Sequence, residues 1–206
     1  MRKTAILALL VALPCFVAAQ GTIELFNGKN LKGWKLYLVD DSKTPEEVFT
    51  ADKGVINIAG QPFGCMYTEA QYSNYKLEIE WRWPEAASNS GIFQLVNFPA
   101  PEGENWPYTL ECQLAAGKAG DVVHLGGAAS DANIRVKVRN VESVEKPVGE
   151  WNKAEIICID GNLTIYINGT LQNEITGATK TGGSIGMQSE GGPVQFRNIT
   201  LTPLNK

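Results

Sequence analysis

Glu111 and Gln113 stand two residues apart in the segment 107–114, PYTLECQL, where Tyr108, Leu110, Cys112 and Leu114 alternate with Thr109, Glu111 and Gln113. Successive side chains of a strand point to opposite faces, so this carboxylate and amide share one face about 6.6–6.8 Å apart. A carboxylate so placed can take a proton or accept a hydrogen bond, although the same pattern describes an ordinary strand with one wet face. His124 is the only histidine in the chain, and its ordinary pKa near neutrality would let it give or take a proton. Lys118 and Asp121, in the loop feeding the His124 strand, could supply charge or orientation. Further on, Gln188 and Glu190 precede Gly191-Gly192. If Phe196 packs inward, Arg197 points the other way, free to hold an anionic oxygen or to pair with Glu190.

The elements that must position these groups read as strands. Residues 155–175, EIICIDGNLTIYINGTLQNEI, are three alternating runs joined by Asp160-Gly161 and Asn168-Gly169, dipeptides that accept the positive φ of a two-residue hairpin turn. Tyr75, Leu77, Ile79, Trp81 and Trp83 alternate with Lys76, Glu78, Glu80 and Arg82, giving one core face and one wet face. Ile134, Val136 and Val138 against Arg135, Lys137 and Arg139 predict another such strand over 133–139. Further runs at 55–58, 64–68, 91–96, 121–125, 184–188 and 194–201 complete an all-β chain, with no convincing helical period. One antiparallel β-sandwich is the economical architecture. The segment 97–107, NFPAPEGENWP, is long for a hairpin turn, and its Trp106 could stack on a sugar ring or pin the loop to the core.

Residues 1–19 carry Arg2 and Lys3, an apolar run from Ile6 to Val17 too short to span a bilayer, and small residues before Gln20, which predicts a cleaved signal peptide and export to the periplasm or outside. Pro14 directly before Cys15 argues against a lipoprotein anchor. The remaining 187 residues, 20–206, suit a single domain and carry 16 basic and 22 acidic side chains, a net of −6. That balance offers no footprint for nucleic acid, and no membrane span follows. The chain reads as a monomer or weak oligomer. Cys65, Cys112 and Cys158 lie inside strands and read as buried thiols rather than a disulfide framework. No group has metal-ligand spacing, so no cofactor is assigned. An oxygen-ligated calcium or other divalent cation in the loops stays open, because such sites leave no short motif.

Three segments in order, IELFNGKNLKGW at 23–34, SNSGIFQLV with YTLECQLAAGKAGDVVHL at 88–96 and 108–125, and GSIGMQSEGGPVQFRNITLTPL at 183–204, resemble the secreted bacterial 3-keto-disaccharide hydrolases. The resemblance covers almost the whole chain after the leader and implies the concanavalin A-like lectin/glucanase jelly roll. It implies cleavage of glycosides whose sugar carries a 3-ketone, and it places Glu111 and Gln113 on the family's E-x-Q strand and Arg197 in the FRNI ending. The glucanase strand motif E-x-D-x-x-E is missing, the nearest stretch at 78–83 lacking the Asp and the last Glu, which argues against ordinary two-carboxylate glycoside hydrolysis. A 3-ketone acidifies the C2 proton, so one base and one oxyanion stabiliser could suffice. Glu111 or His124 is the expected base, with Arg197, Gln113 or a bound cation as stabiliser. Gln113, Trp106, Gln188, Glu190, Lys118 and Asp121 are expected substrate-binding residues. The alternative is a carbohydrate-binding module of the same fold without turnover.

Overall fold

The computed structural model describes residues 21–132 and 134–205, so the predicted signal peptide lies outside the described residues. Fifteen strands and one short helix follow in chain order: β1 Ile23–Glu24, β2 Trp34–Leu38, α1 Pro45–Val48, β3 Phe49–Asp52, β4 Val55–Ile58, β5 Gly64–Thr68, β6 Tyr75–Arg82, β7 Gly91–Asn97, β8 Tyr108–Gln113, β9 Val122–Leu125, β10 Val136–Lys137, β11 Asn152–Ile159, β12 Asn162–Ile167, β13 Thr170–Ile175, β14 Ser184–Ser189 and β15 Val194–Pro203. Two antiparallel sheets result. The first runs β13-β12-β11-β6-β15-β4-β3 with β1 also on β15, and the second runs β10-β9-β8-β7-β14-β5-β2.

The hairpin chemistry explains the first sheet. Asp160 and Asn168 adopt φ of 52° and 49°, each followed by a glycine near 80°, the left-handed pair that a tight two-residue turn demands. On β6 the side chains of Tyr75, Leu77, Ile79 and Trp81 are fully buried between the sheets. Each large apolar side chain removed from water there contributes about 1.5–3 kcal/mol before the entropy of ordering it. Trp34 is buried in the same core and its indole N–H donates to the Leu25 carbonyl at 2.8 Å. Cys65, Cys112 and Cys158 are buried free thiols.

The run at 133–139 departs from expectation. Only Val136–Lys137 pair as a strand, and Ile134, Val136 and Val138 are 49%, 42% and 64% exposed rather than core. β10 is the last strand of its sheet, paired only with β9. Val136 faces Val123 on the side of that sheet turned away from β6, where no second layer covers it. Alternation on an edge strand records two faces and not which one is buried.

That outer face of the second sheet, which no further sheet covers, positions the site. Ile92, Leu110, Cys112 and Met187 fill the space between the sheets, whereas Cys65, Phe93, Val96, Val123 and Leu125 form a separate cluster on the outer side. The loop 97–107 folds over this cluster. Phe98 stacks on Tyr67 at 4.5 Å, and Trp106 meets Phe93 edge-on at 5.6 Å and stacks near Phe63. Trp106 is half-buried, pinning its loop while leaving part of its ring at the surface.

Candidate active site

Glu111 lies on this outer face, opposite Phe93 on β7 and Val123 on β9. The face is the one expected, but the environment is not wet: Glu111 is 2% exposed and its Oε1 is buried without a hydrogen-bond partner among the described residues. Space for the carboxyl comes from Gly91. A Cβ built there would stand 2.0 Å from Oε1 and 2.6 Å from Cδ, so any side chain at 91 would expel the carboxyl from its slot.

Three loops bring a second acid alongside. Ser88 accepts the Gly192 N–H on its Oγ at 2.6 Å and the Ala116 N–H on its carbonyl, while Ser90 Oγ donates to the Gln188 carbonyl at 2.8 Å. These bonds lock the segments after β8 and β14 together. Glu190 thereby comes close enough to raise the Glu111 pKa, and the Gln188 amide hydrogen-bonds to Glu190. Gln188 Oε1 is itself buried and unpartnered among the described residues. Burial first, and the neighbouring Glu190 second, hold the Glu111 carboxyl well above the usual carboxylate range. Burial raises Glu190 as well. Such a pair favours one shared negative charge over two.

A raised carboxyl pKa has a definite sign in stability. The folded protein keeps a proton on Glu111 that the unfolded chain gives up above its ordinary value of 4.5, so this group's contribution is intact below that pH and is lost as pH rises toward the folded value. Urea unfolding at about pH 5 and about pH 8 is expected to show the native protein losing more stability with rising pH than Glu111→Gln does. Equal losses in the two proteins would contradict this reading.

On the same sheet face, toward the β10 edge, an open hollow of about 430 Å³ is lined by Val123, the cross-strand partner of Glu111, and by Gln113, Lys118, Asp121, Val136 and Arg139 among others. Asp121 and Arg139 form an ion pair within it. The Asp121 carboxylate, 4% exposed as a residue, accepts the Arg139 backbone N–H at 2.9 Å and its guanidinium at 3.3 Å. Arg139 Nε is buried without a partner among the described residues, leaving donor capacity unspent. Gln113 is occupied locally, its Oε1 accepting the Leu114 and Ala115 N–H groups at 2.9 Å. Lys118 is exposed at the rim.

Seven of the nine residues singled out from the sequence therefore gather on or beside one sheet face: Glu111, Gln113, Trp106, Gln188, Glu190, Lys118 and Asp121. The expected convergence of Glu111, His124 and Arg197 does not occur. His124 pairs with Leu110, not Glu111, so its ring lies on the opposite side of the sheet from the carboxyl. There Nε2 meets Ser130 Oγ at 2.7 Å and Nδ1 meets the Arg135 carbonyl at 3.3 Å. Arg197 belongs to the other sheet altogether. Its Nε donates to Glu80 at 2.6 Å, not to Glu190, and its guanidinium lies 4.0 Å from the Trp151 ring centre.

Sequence reasoning missed Arg139. It stood only as the polar half of an alternating strand, and the signal that could have found it is another basic residue two positions from an apolar edge strand. No group of three or more His, Cys, Asp and Glu side chains among the described residues is arranged to hold a metal. Glu111 and Gln188 each bury an oxygen, unpartnered among the described residues, of the type a hard cation such as calcium takes, but only one of the two is a carboxylate.

The model for the 3-keto-alpha-glucoside-1,2-lyase-like domain matches residues 21–202. A 3-keto-disaccharide hydrolase from Bacteroides thetaiotaomicron is 27% identical over 92% of this chain and 80% of its own length. Among solved structures, a candidate glycosyl hydrolase from Parabacteroides distasonis superposes with a TM-score of 0.68 at 23% identity, covering 90% of this chain and 94% of the other. A Bacillus licheniformis beta-glucanase superposes with a TM-score of 0.61 at 13% identity, covering 92% and 100%. These likenesses give the fold as the concanavalin A-like jelly roll.

Proposed function

Because this chain belongs to the family of 3-keto-alpha-glucoside-1,2-lyase-like domains, we propose that it cleaves 3-keto-disaccharides with Glu111 as the proton-transferring group. The observation that supports this most is a carboxyl buried on the outer sheet face, unpartnered at Oε1 among the described residues and near a second carboxyl, with a hollow holding Arg139 on the same face. A base of raised pKa is matched to removing a proton that a ketone has made acidic.

The ionised Glu111 takes the C2 proton of the 3-keto sugar, and the C–H electron pair becomes the C2–C3 double bond of an enolate. Collapse of the enolate expels the C1 oxygen substituent, leaving a double bond between C1 and C2, and the departing alkoxide takes the proton now on Glu111. Water then adds at C1, while C2 regains a proton, giving the free 3-keto sugar and an alcohol. Arg139, held by Asp121, is the group that stabilises the enolate oxygen, in place of Arg197. Gln113 and Lys118 border the hollow, and the exposed part of Trp106 offers a surface on which a sugar ring can stack. His124 and Arg197 have no part in this scheme.

Incubation with a natural disaccharide and its 3-keto counterpart in deuterated water tests the scheme. Only the oxidised substrate is expected to be cleaved, with deuterium at C2 of the released 3-keto sugar. Cleavage without C2 exchange would sink the elimination step. Binding without product would favour the carbohydrate-binding reading instead.

A further inference from the structure

Behind the second sheet, away from Glu111, a separate hollow of about 280 Å³ opens around His124 and is lined by Ala128, Ala129, Ser130, Ile134 and Arg135 among others. The protonation of His124 follows from its partners. The Arg135 carbonyl can only accept, so the proton sits on Nδ1, and Nε2 presents its lone pair to Ser130 Oγ 2.7 Å away. Burial lowers the His124 pKa, which keeps the ring neutral near pH 7 with the Nε2 lone pair unprotonated. The Ser130 hydroxyl then donates to Nε2 and accepts the Ala132 N–H at 3.3 Å, leaving one lone pair free.

Ser130 is held in place from both sides. The Ala129 carbonyl accepts the Thr179 N–H at 3.2 Å and the Asp131 N–H donates to the Thr176 carbonyl at 2.9 Å, so the residues flanking the serine are tied to the segment after β13. Ser130 is half-buried at the hollow's wall and Arg135 is exposed beside it. A serine hydroxyl bonded to a histidine whose other nitrogen is fixed by an acceptor is the arrangement that activates an oxygen nucleophile.

We propose that Ser130 and His124 form a second catalytic centre that hydrolyses esters of short acyl groups. The hollow's small apolar wall of Ala128, Ala129 and Ile134 sets the acyl size, and the Arg135 guanidinium supplies the charge that a tetrahedral oxyanion needs. Ser130 Oγ bonds to the acyl carbon while its proton passes to His124 Nε2. The ester C–O bond breaks, and the alcohol leaves with that proton. Water attacks the acyl-serine, gives a proton to Nε2, and the acid departs as Ser130 regains its hydrogen. Ester and water thus become acid and alcohol, with no other reactant.

The full chain treated with a small fluorophosphonate is expected to gain one adduct on Ser130, read by intact mass and peptide mapping, and to hydrolyse p-nitrophenyl acetate. Ser130→Ala is expected to lose both while its turnover of a 3-keto-disaccharide stays within about twofold. His124→Asn is expected to slow labelling by about 10²-fold or more. Absence of an adduct on the folded native protein, or labelling of Ser130 at an unchanged rate in His124→Asn, would overturn the proposal.

Discussion

Glu111→Gln is expected to abolish cleavage of a 3-keto-disaccharide, lowering kcat by about 10²–10⁴-fold, the range general acid–base groups contribute. The amide fills the same slot over Gly91, so geometry is preserved and only the exchangeable proton is lost. Fold should not suffer. The native carboxyl is 2% exposed with Oε1 unpartnered among the described residues, and a neutral group of the same shape removes the cost of ionising it there. Kinetics paired with thermal unfolding separate the two effects: turnover collapses while Tm holds or rises. Full turnover by the Gln variant would end the assignment, and a large fall in Tm would show the carboxyl to be structural.

Arg139→Gln is expected to produce the second largest loss, about 10²–10³-fold in kcat, as for removal of one donor to a developing oxyanion. This variant carries a structural cost that Glu111→Gln does not. The Asp121 side chain is 6% exposed and ion-paired to Arg139, and deleting one partner of a buried pair costs about 3–5 kcal/mol because the other charge is left behind. The double variant Asp121→Asn/Arg139→Gln removes both charges and should recover stability. Activity should stay low in the double variant if the guanidinium faces the enolate. Recovery of turnover together with stability would assign the pair to scaffolding alone.

Much of the architecture was legible because hairpin chemistry and alternation are local. Asp160-Gly161 and Asn168-Gly169 specify their turns through two residues' φ angles, and β6 states its two faces in eight consecutive side chains. The E-x-Q strand likewise places Glu111 on the face away from the inner core. The strands before residue 55 were not anticipated, and β1 has only two residues, too short for a period to declare itself. Residues 134–138 read as core for the opposite reason: the alternation is real, but β10 is an edge strand with no layer over its apolar side.

Covalent order alone determined an antiparallel β-sandwich, three unbridged thiols and a carboxylate with an amide on one strand face, because each is set by neighbours a few residues apart. Tertiary structure decided which charges meet. Register sends His124 behind the sheet to Ser130, pairing across the other sheet gives Arg197 to Glu80, and closure of the loops around Ser88 and Ser90 brings Glu190 to Glu111. Arg139 reaches Asp121 across 18 residues. Electrostatic work falls off with distance in space rather than along the chain, so the roles of these ionisable groups are fixed only once the strands have been placed side by side.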